Sequence, residues 1–534
     1  MFRLVDAVLQ KTDEGSVDPE TYRFLQKHHA EFIRNGCGLS PAAKKKFRAD
    51  KLHLDELIRQ YLKNLNSDQN GVWFSLEELE GVPKNVIEKL QKGEGEQIGN
   101  LWVTTKTPHT TPVLRFAKSE MTRKNMYIAN LNRASPNIPL HRDIIIIRDT
   151  LSRQLGFRNW ANLRASEKTV GSTKTVTDFL GRIQAPLTDV ARKEAEELLK
   201  LKKADLPNDQ DTRLYYWDQA YYERLRDESV AALDLKYVSE FFELSKVLPE
   251  MLKIYEKLFD IHFEQVTPER YHQITGRSAD TMVWQEDVKL SLFHELGHAM
   301  HNLLSLTKFG RFHGSKVDRD FVETPSLTFE HFFWTAHHIK DVSCHYSYVS
   351  PQYKAAWEAK QSNSDMPQPP QQLPDEVVKG VLGLKLSNKP LGTARQLHFA
   401  LYDMFVHNQD SSEELGSMNF CEVFNKMRNE LTSLQGGEAL GEGWDWCHGE
   451  SCYRAIMSNY DAGYYAYLMG RAWALDIFES NFEADTMSKS AGRKYREMLL
   501  QPGASQPEMK TLREYLGREP KLEAYYRWLG ISGD

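Results

Sequence analysis

Residues 290–305 read Leu-Ser-Leu-Phe-His-Glu-Leu-Gly-His-Ala-Met-His-Asn-Leu-Leu-Ser. Apolar residues return every three or four positions along this stretch, which predicts a helix. Residues four apart on a helix stand one turn above each other on the same face. His294 and His298 therefore offer two imidazoles side by side, and Glu295 follows the first of them. Two imidazoles at that spacing reach one Zn²⁺, and the intervening carboxylate can act on water held there. The plain alternative is a surface helix with incidental histidines.

A mononuclear zinc centre that keeps one position open takes three protein ligands. The next candidate is Glu323, in the stretch Asp-Phe-Val-Glu-Thr-Pro-Ser at 320–326. Gly310 and Gly314 lie in between, where the chain can turn and bring a second helix antiparallel to the first. On spacing alone Glu323 serves equally well in a capping box, with Asp320 as N-cap.

A second block, Tyr-Asp-Ala-Gly-Tyr-Tyr-Ala-Tyr-Leu, occupies 460–468. Together with His-Glu-Leu-Gly-His-Ala-Met-His, Asp-Phe-Val-Glu-Thr-Pro-Ser and Glu330, it resembles the thimet oligopeptidase–neurolysin family of zinc metallopeptidases. The mitochondrial intermediate peptidases and fungal saccharolysin belong to the same broad family. Weaker similarity runs from about residue 19 to 530, through Lys63-Asn64-Leu65-Asn66, Trp284-Gln285-Glu286-Asp287-Val288 and Tyr495-Arg496-Glu497-Met498.

The resemblance implies that His294, His298 and Glu323 bind one zinc ion and that Glu295 is the general base. It implies that Asp320 and Glu330 orient the ligand histidines, and that His301 makes a structural hydrogen bond. Tyr464 and Tyr467 match tyrosines that reach the substrate carbonyl; a phenol stays neutral at pH 7 and can donate to a developing oxyanion. Tyr460 joins them as a substrate contact, Tyr465 reads as core packing, and Gly463 is expected to let the loop flex. The implied fold is mainly α, a two-lobed helical zincin-type metallopeptidase with a deep central channel and a small β-hairpin. The chain is expected to form one metallopeptidase unit over 1–534, with an N-terminal helical lobe at 1–290 and a zinc-binding C-terminal lobe at 291–534. Its substrates would be short oligopeptides.

Three departures accompany the resemblance. Relatives carry several dozen residues between the Trp284–Val288 segment and the histidine helix, which supply strands along the cleft wall. Here Val288-Lys289-Leu290 runs almost directly into Ser291-Leu292-Phe293-His294. The helical N-terminal region of relatives is absent before Met1. A histidine that relatives place before the tyrosine block, assigned to transition-state hydrogen bonding, corresponds to Ala455. A zinc-binding, peptide-binding scaffold with impaired catalysis is the competing expectation.

The rest of the sequence bounds the answer. Of 534 residues, 41% are hydrophobic and 27% charged, enough for a large core. A formal net charge of −6 offers no electrostatic case for nucleic acid, and Lys44-Lys45-Lys46 reads as a solvated helix face because Phe47 follows it. No apolar run is long enough to span a bilayer. Five cysteines suit a reducing compartment. The first residues lack signal- or transit-peptide character, so a cytosolic monomer is expected, or a mitochondrial protein if the authentic N-terminus lies upstream. Cys447-His448-Gly449-Glu450-Ser451-Cys452 fits no four-ligand zinc pattern and reads as thiols near a loop. His337, His338 and His345 read as packing or surface residues.

Helices are expected over 19–66 with a break near 36–41, and over 119–134, 139–155, 174–203 and 227–260. Leu155-Gly156-Phe157 reads as a helix stop. Leu101–Thr105 and Val113–Phe116 read as two strands of a hairpin around Pro108 and Pro112. Residues 200–213 and 366–374 read as loops.

Overall fold

The computed structural model describes residues 1–207, 211, 213–231, 235–264, 266, 270, 289–360, 367–384 and 389–531. The Trp284–Val288 segment lies outside the described residues. The chain is mainly helical, and it divides into two compact units that interleave along the sequence. One comprises Met1–Val230, Ser387–Met469 and Tyr526–Asp534; the other comprises Ala231–Leu386 and Gly470–Tyr525. A single cut between 290 and 291 does not coincide with this division. The spacing of apolar residues marks which face of a helix is buried but not which core that helix joins.

In the first unit, the expected break near 36–41 falls where Gly36 takes φ +72° after the helix Pro19–Arg34. The next helix, Pro41–Ser67, starts from the Ser40 cap, whose Oγ accepts from the Ala43 amide. Phe47 is buried while Lys45 and Lys46 are exposed, as a solvated face requires. The helix Asn137–Gln154 ends as expected at Gly156: its amide donates to the Arg153 carbonyl and that of Phe157 to Ser152, both at 3.0 Å. With Gly156 at φ +86°, this pair of bonds is a Schellman stop. These helices, with Lys389–His407 and Phe420–Thr432, enclose Tyr61, Ile144, Ile145, Tyr402, Val406 and Phe424.

The expected hairpin is different. β1 (Gly71–Ser75), β2 (Gln91–Lys92) and β3 (Asn100–Thr104) form an antiparallel sheet in the order β1-β3-β2, with Trp73 opposite Trp102. Val113–Phe116 is instead the end of a helix, Thr107–Phe116. Pro108 sits in its first turn, where no amide donor is needed, and Pro112 removes only one bond. The run expected over 227–260 is also broken, into Gln219–Ala231, Leu235–Ser239 and Leu244–Phe259. The helix Thr173–Asp205 extends into the stretch expected as a loop.

The second unit is built on aromatic packing. Tyr255, Phe259, Phe293, Phe329, Phe332, Phe482 and Tyr495 are buried, with neighbouring rings such as Tyr255 and Phe329 at 5.0 Å in edge-to-face contact. Two helices frame the site, Lys289–Leu304 and Glu323–Phe333, and they pack directly on each other. Gly297 allows this approach: a Cβ there would meet Ser326 Cα at 2.7 Å. Between the two helices, Gly314 turns at φ +55° against Asn302, whose Oδ1 accepts from the Ser315 amide.

Candidate metal centre

The helix Lys289–Leu304 carries His294 and His298 one turn apart, with their rings 4.8 Å between centroids and nearly perpendicular. Glu323 opens the following helix and projects its carboxylate between them. Its Oε2 lies 3.2 Å from His294 Nε2 and 3.4 Å from His298 Nε2. The helix begins at Glu323 itself, with no side-chain cap at Val322, so the capping-box role is not realised. One donor atom from each of the three residues lies within 4.8 Å of the others. Two imidazole nitrogens and a carboxylate oxygen converging on one point suit a divalent ion with nitrogen and oxygen ligands.

The surroundings aim these donors. His294 Nδ1 donates to Glu330 Oε1 at 2.9 Å, one helical stretch beyond Glu323. With Nδ1 so engaged, the lone pair falls on Nε2, which faces Glu323. Arg471 holds the other oxygen of Glu330 at 3.4 Å. Burial opposes a charge on His294, but the hydrogen bonds and charges of Glu323 and Glu330 outweigh it and raise its pKa to about 9. Glu295 is exposed on the same helix. Asp320 is buried in the turn before Glu323.

His301 departs from expectation. It is fully buried, and neither ring nitrogen has a hydrogen-bond partner. Burial, with His298 and His313 nearby, lowers its pKa to about 3, so it packs as a neutral ring. His338 and His345 are buried as well, and His337 is exposed.

The tyrosine block belongs to the first unit, where a polar network fixes it. Asp403 accepts from the amides of Ala462, Gly463 and Tyr464 at 2.9, 2.8 and 3.0 Å. Lys168 Nζ donates to the Ala462 carbonyl at 2.6 Å, and Trp160 and Arg164 grip Asp461, each at 2.8 Å. A Cβ at Gly463 would meet the end of the Lys168 side chain, Nζ, at 2.4 Å. Tyr465 is buried, as expected for packing. Tyr460, Tyr464 and Tyr467 are partly exposed, with Tyr460 stacked on Tyr467 at 4.8 Å. Tyr464 Oη donates to Gln396 Oε1 at 2.6 Å, and burial raises its phenol pKa to about 12. Phe399 and Tyr453 touch the Tyr464 ring and also line a cavity of about 730 Å³ in this unit, into which Arg395 and Arg428 project. Asp403, Lys168, Gln396 and Arg471 carry no motif of their own and escape a sequence reading.

Comparison with known proteins gives the family of the chain. The model of peptidase family M3 matches residues 113–291 and 286–531. Two oligopeptidases of Diaporthe leptostromiformis, PhomG′ and PhomG, are 37% and 35% identical over 99% of this chain. The chain spans about half of the first (48%) and 85% of the second. Saccharolysin of Saccharomyces cerevisiae is 27% identical, over 99% of this chain and 80% of its own length. The solved structure of PZ peptidase A shares the fold at a TM-score of 0.57 and 13% identity, over 99% of this chain and 82% of that one. The two family matches overlap at 286–291, the junction at which the resemblance leads one to expect a missing segment. The alignment with PhomG′ runs over 583 positions against a chain of 534 residues, so positions in that relative have no counterpart here. On these matches the chain belongs to peptidase family M3, the metallopeptidase family of these oligopeptidases.

Proposed function

We propose that this chain is a zinc-dependent endopeptidase that hydrolyses short peptides. The convergence of His294 Nε2, His298 Nε2 and Glu323 Oε2 on one point, with the exposed Glu295 beside them, carries this reading. The donor set fits zinc, and these three residues would hold it. Bound there, zinc supplies a Lewis acid that polarises the scissile carbonyl and lowers the pKa of water toward ~7.

The chain's own residues supply the rest. Glu295 takes a proton from the attacking water and returns it to the leaving amine nitrogen. Glu330, steadied by Arg471, keeps His294 in one tautomer and one orientation. Asp320 belongs to the same supporting set. Tyr464 and Tyr467 donate to the oxygen that gains charge, and Tyr460 lends its ring to peptide contact. The fixed Tyr464 loop and its undissociated phenol support that role. Among the described residues no helix is long and apolar enough to cross a membrane, and all five cysteines are free, which supports a reducing compartment such as the cytosol.

The test is Glu295→Gln, assayed with a quenched peptide substrate beside metal analysis. The expected result is unchanged zinc content with kcat lowered by about 10²–10⁴. Retained turnover overturns the general-base role. A wild-type chain that holds zinc and binds peptide without cleaving it would favour the scaffold reading.

A further inference from the structure

The segment Cys447–Cys452, tempting in sequence, makes no site from its own two thiols. Cys447 Sγ turns toward Asn425 Oδ1 at 3.7 Å, and Cys452 Sγ donates to the Arg133 carbonyl at 3.0 Å. The fold brings a different thiol instead. Cys421, in the first turn of the helix Phe420–Thr432, places Sγ 3.0 Å from the Cys447 carbonyl. One ligand atom each from Cys421, His448 and Glu450 lies within 4.8 Å of the others. His448 Nδ1 is 3.0 Å from Glu450 Oε1.

A second feature points to a missing partner. Glu450 is 2% exposed, and its other oxygen, Oε2, has no hydrogen-bond partner. A buried carboxylate oxygen left unmatched costs free energy, and a cation answers that cost directly. The charge of Asp445, which is steadied by Asn419 Nδ2 at 3.1 Å, acts on the Cys421 thiol from nearby. His448 is partly exposed, which leaves a way in from solvent.

We propose that Cys421, His448 and Glu450 form a second divalent-metal site, in the first unit and separate from the His294–His298–Glu323 centre. Sulfur, imidazole and carboxylate together select Zn²⁺ or a similar transition metal over Ca²⁺ or Mg²⁺, which prefer oxygen alone. Binding replaces the proton on Cys421 Sγ, which leaves to solvent, and the new metal–sulfur bond takes the place of the S–H contact to the Cys447 carbonyl. The ion ties residues 445–450 to the helix Phe420–Thr432, a structural role.

The two centres can be told apart because only this one contains sulfur. The experiment loads metal-free, reduced protein with Co²⁺ and records its absorption, beside zinc analysis of the zinc-loaded chain. The expected result is a near-ultraviolet thiolate-to-cobalt charge-transfer band and about two zinc ions per chain. The band should persist in His294→Ala and vanish in Cys421→Ser, with zinc falling to about one in each. Should Cys421→Ser fail to fold, the wild-type and His294→Ala spectra still decide. A wild-type chain with one zinc and no thiolate band overturns this site and leaves the peptidase centre intact. A band that survives Cys421→Ser also overturns it.

Discussion

His294 and Glu330 are joined through the imidazole Nδ1, which lies 2.9 Å from Glu330 Oε1, so that Nε2 is turned to Glu323. This contact, not the spacing of the histidines, fixes which nitrogen faces the metal position. Glu330→Gln removes the charge that favours the Nδ1–H tautomer and loosens Arg471 as well. Zinc affinity, measured by competition with a chelating dye, should fall about 10- to 100-fold while the helix content stays constant.

The candidate centre was legible in the sequence because His294 and His298 are a helical turn apart and Glu323 follows within one further segment. The family resemblance favours ligand over cap for Glu323, and the helix starts at that residue with no side-chain cap at Val322. Other parts were not legible. Val113–Phe116 is a short, mostly apolar run that reads as a strand, yet Pro108 seeds a helix there, because a missing amide is harmless in a first turn. Lys168, almost three hundred positions before Gly463, reaches the place where a side chain of that residue would start, a contact that the local sequence does not announce. Cys421 lies outside the Cys-His-Gly-Glu block, and only the packing of its helix brings it there.

Gly297 stands where the two site helices touch, with Ser326 backbone 2.7 Å from the position of a Cβ. Backbone cannot yield as a flexible side chain does. Gly297→Ala should lower stability by about 1–3 kcal/mol. By separating His298 from Glu323, it should also weaken zinc binding. Thermal unfolding with and without added zinc checks both effects.

His294 also predicts a pH dependence. In the metal-free chain its pKa is raised to about 9 by Glu323 and Glu330 against the opposing effect of burial. A raised pKa contributes stability that is fully present below the unfolded value of ~6.5 and is lost as pH rises through about 9. The metal-free protein should therefore lose stability across that window. Protons compete with zinc for the same nitrogen, so zinc affinity should rise over that interval and level off above it. Melting curves of the metal-free chain and zinc titrations at a series of pH values measure the two opposite trends.

The most direct test of the central claim is a crystal structure of the zinc-loaded protein with anomalous data collected on both sides of the zinc absorption edge. The expected result is an anomalous peak bonded to His294 Nε2, His298 Nε2 and Glu323 Oε2 at about 2.0–2.2 Å. Zinc-loaded crystals with no peak among those three atoms, or with Glu323 turned away from it, would contradict the account.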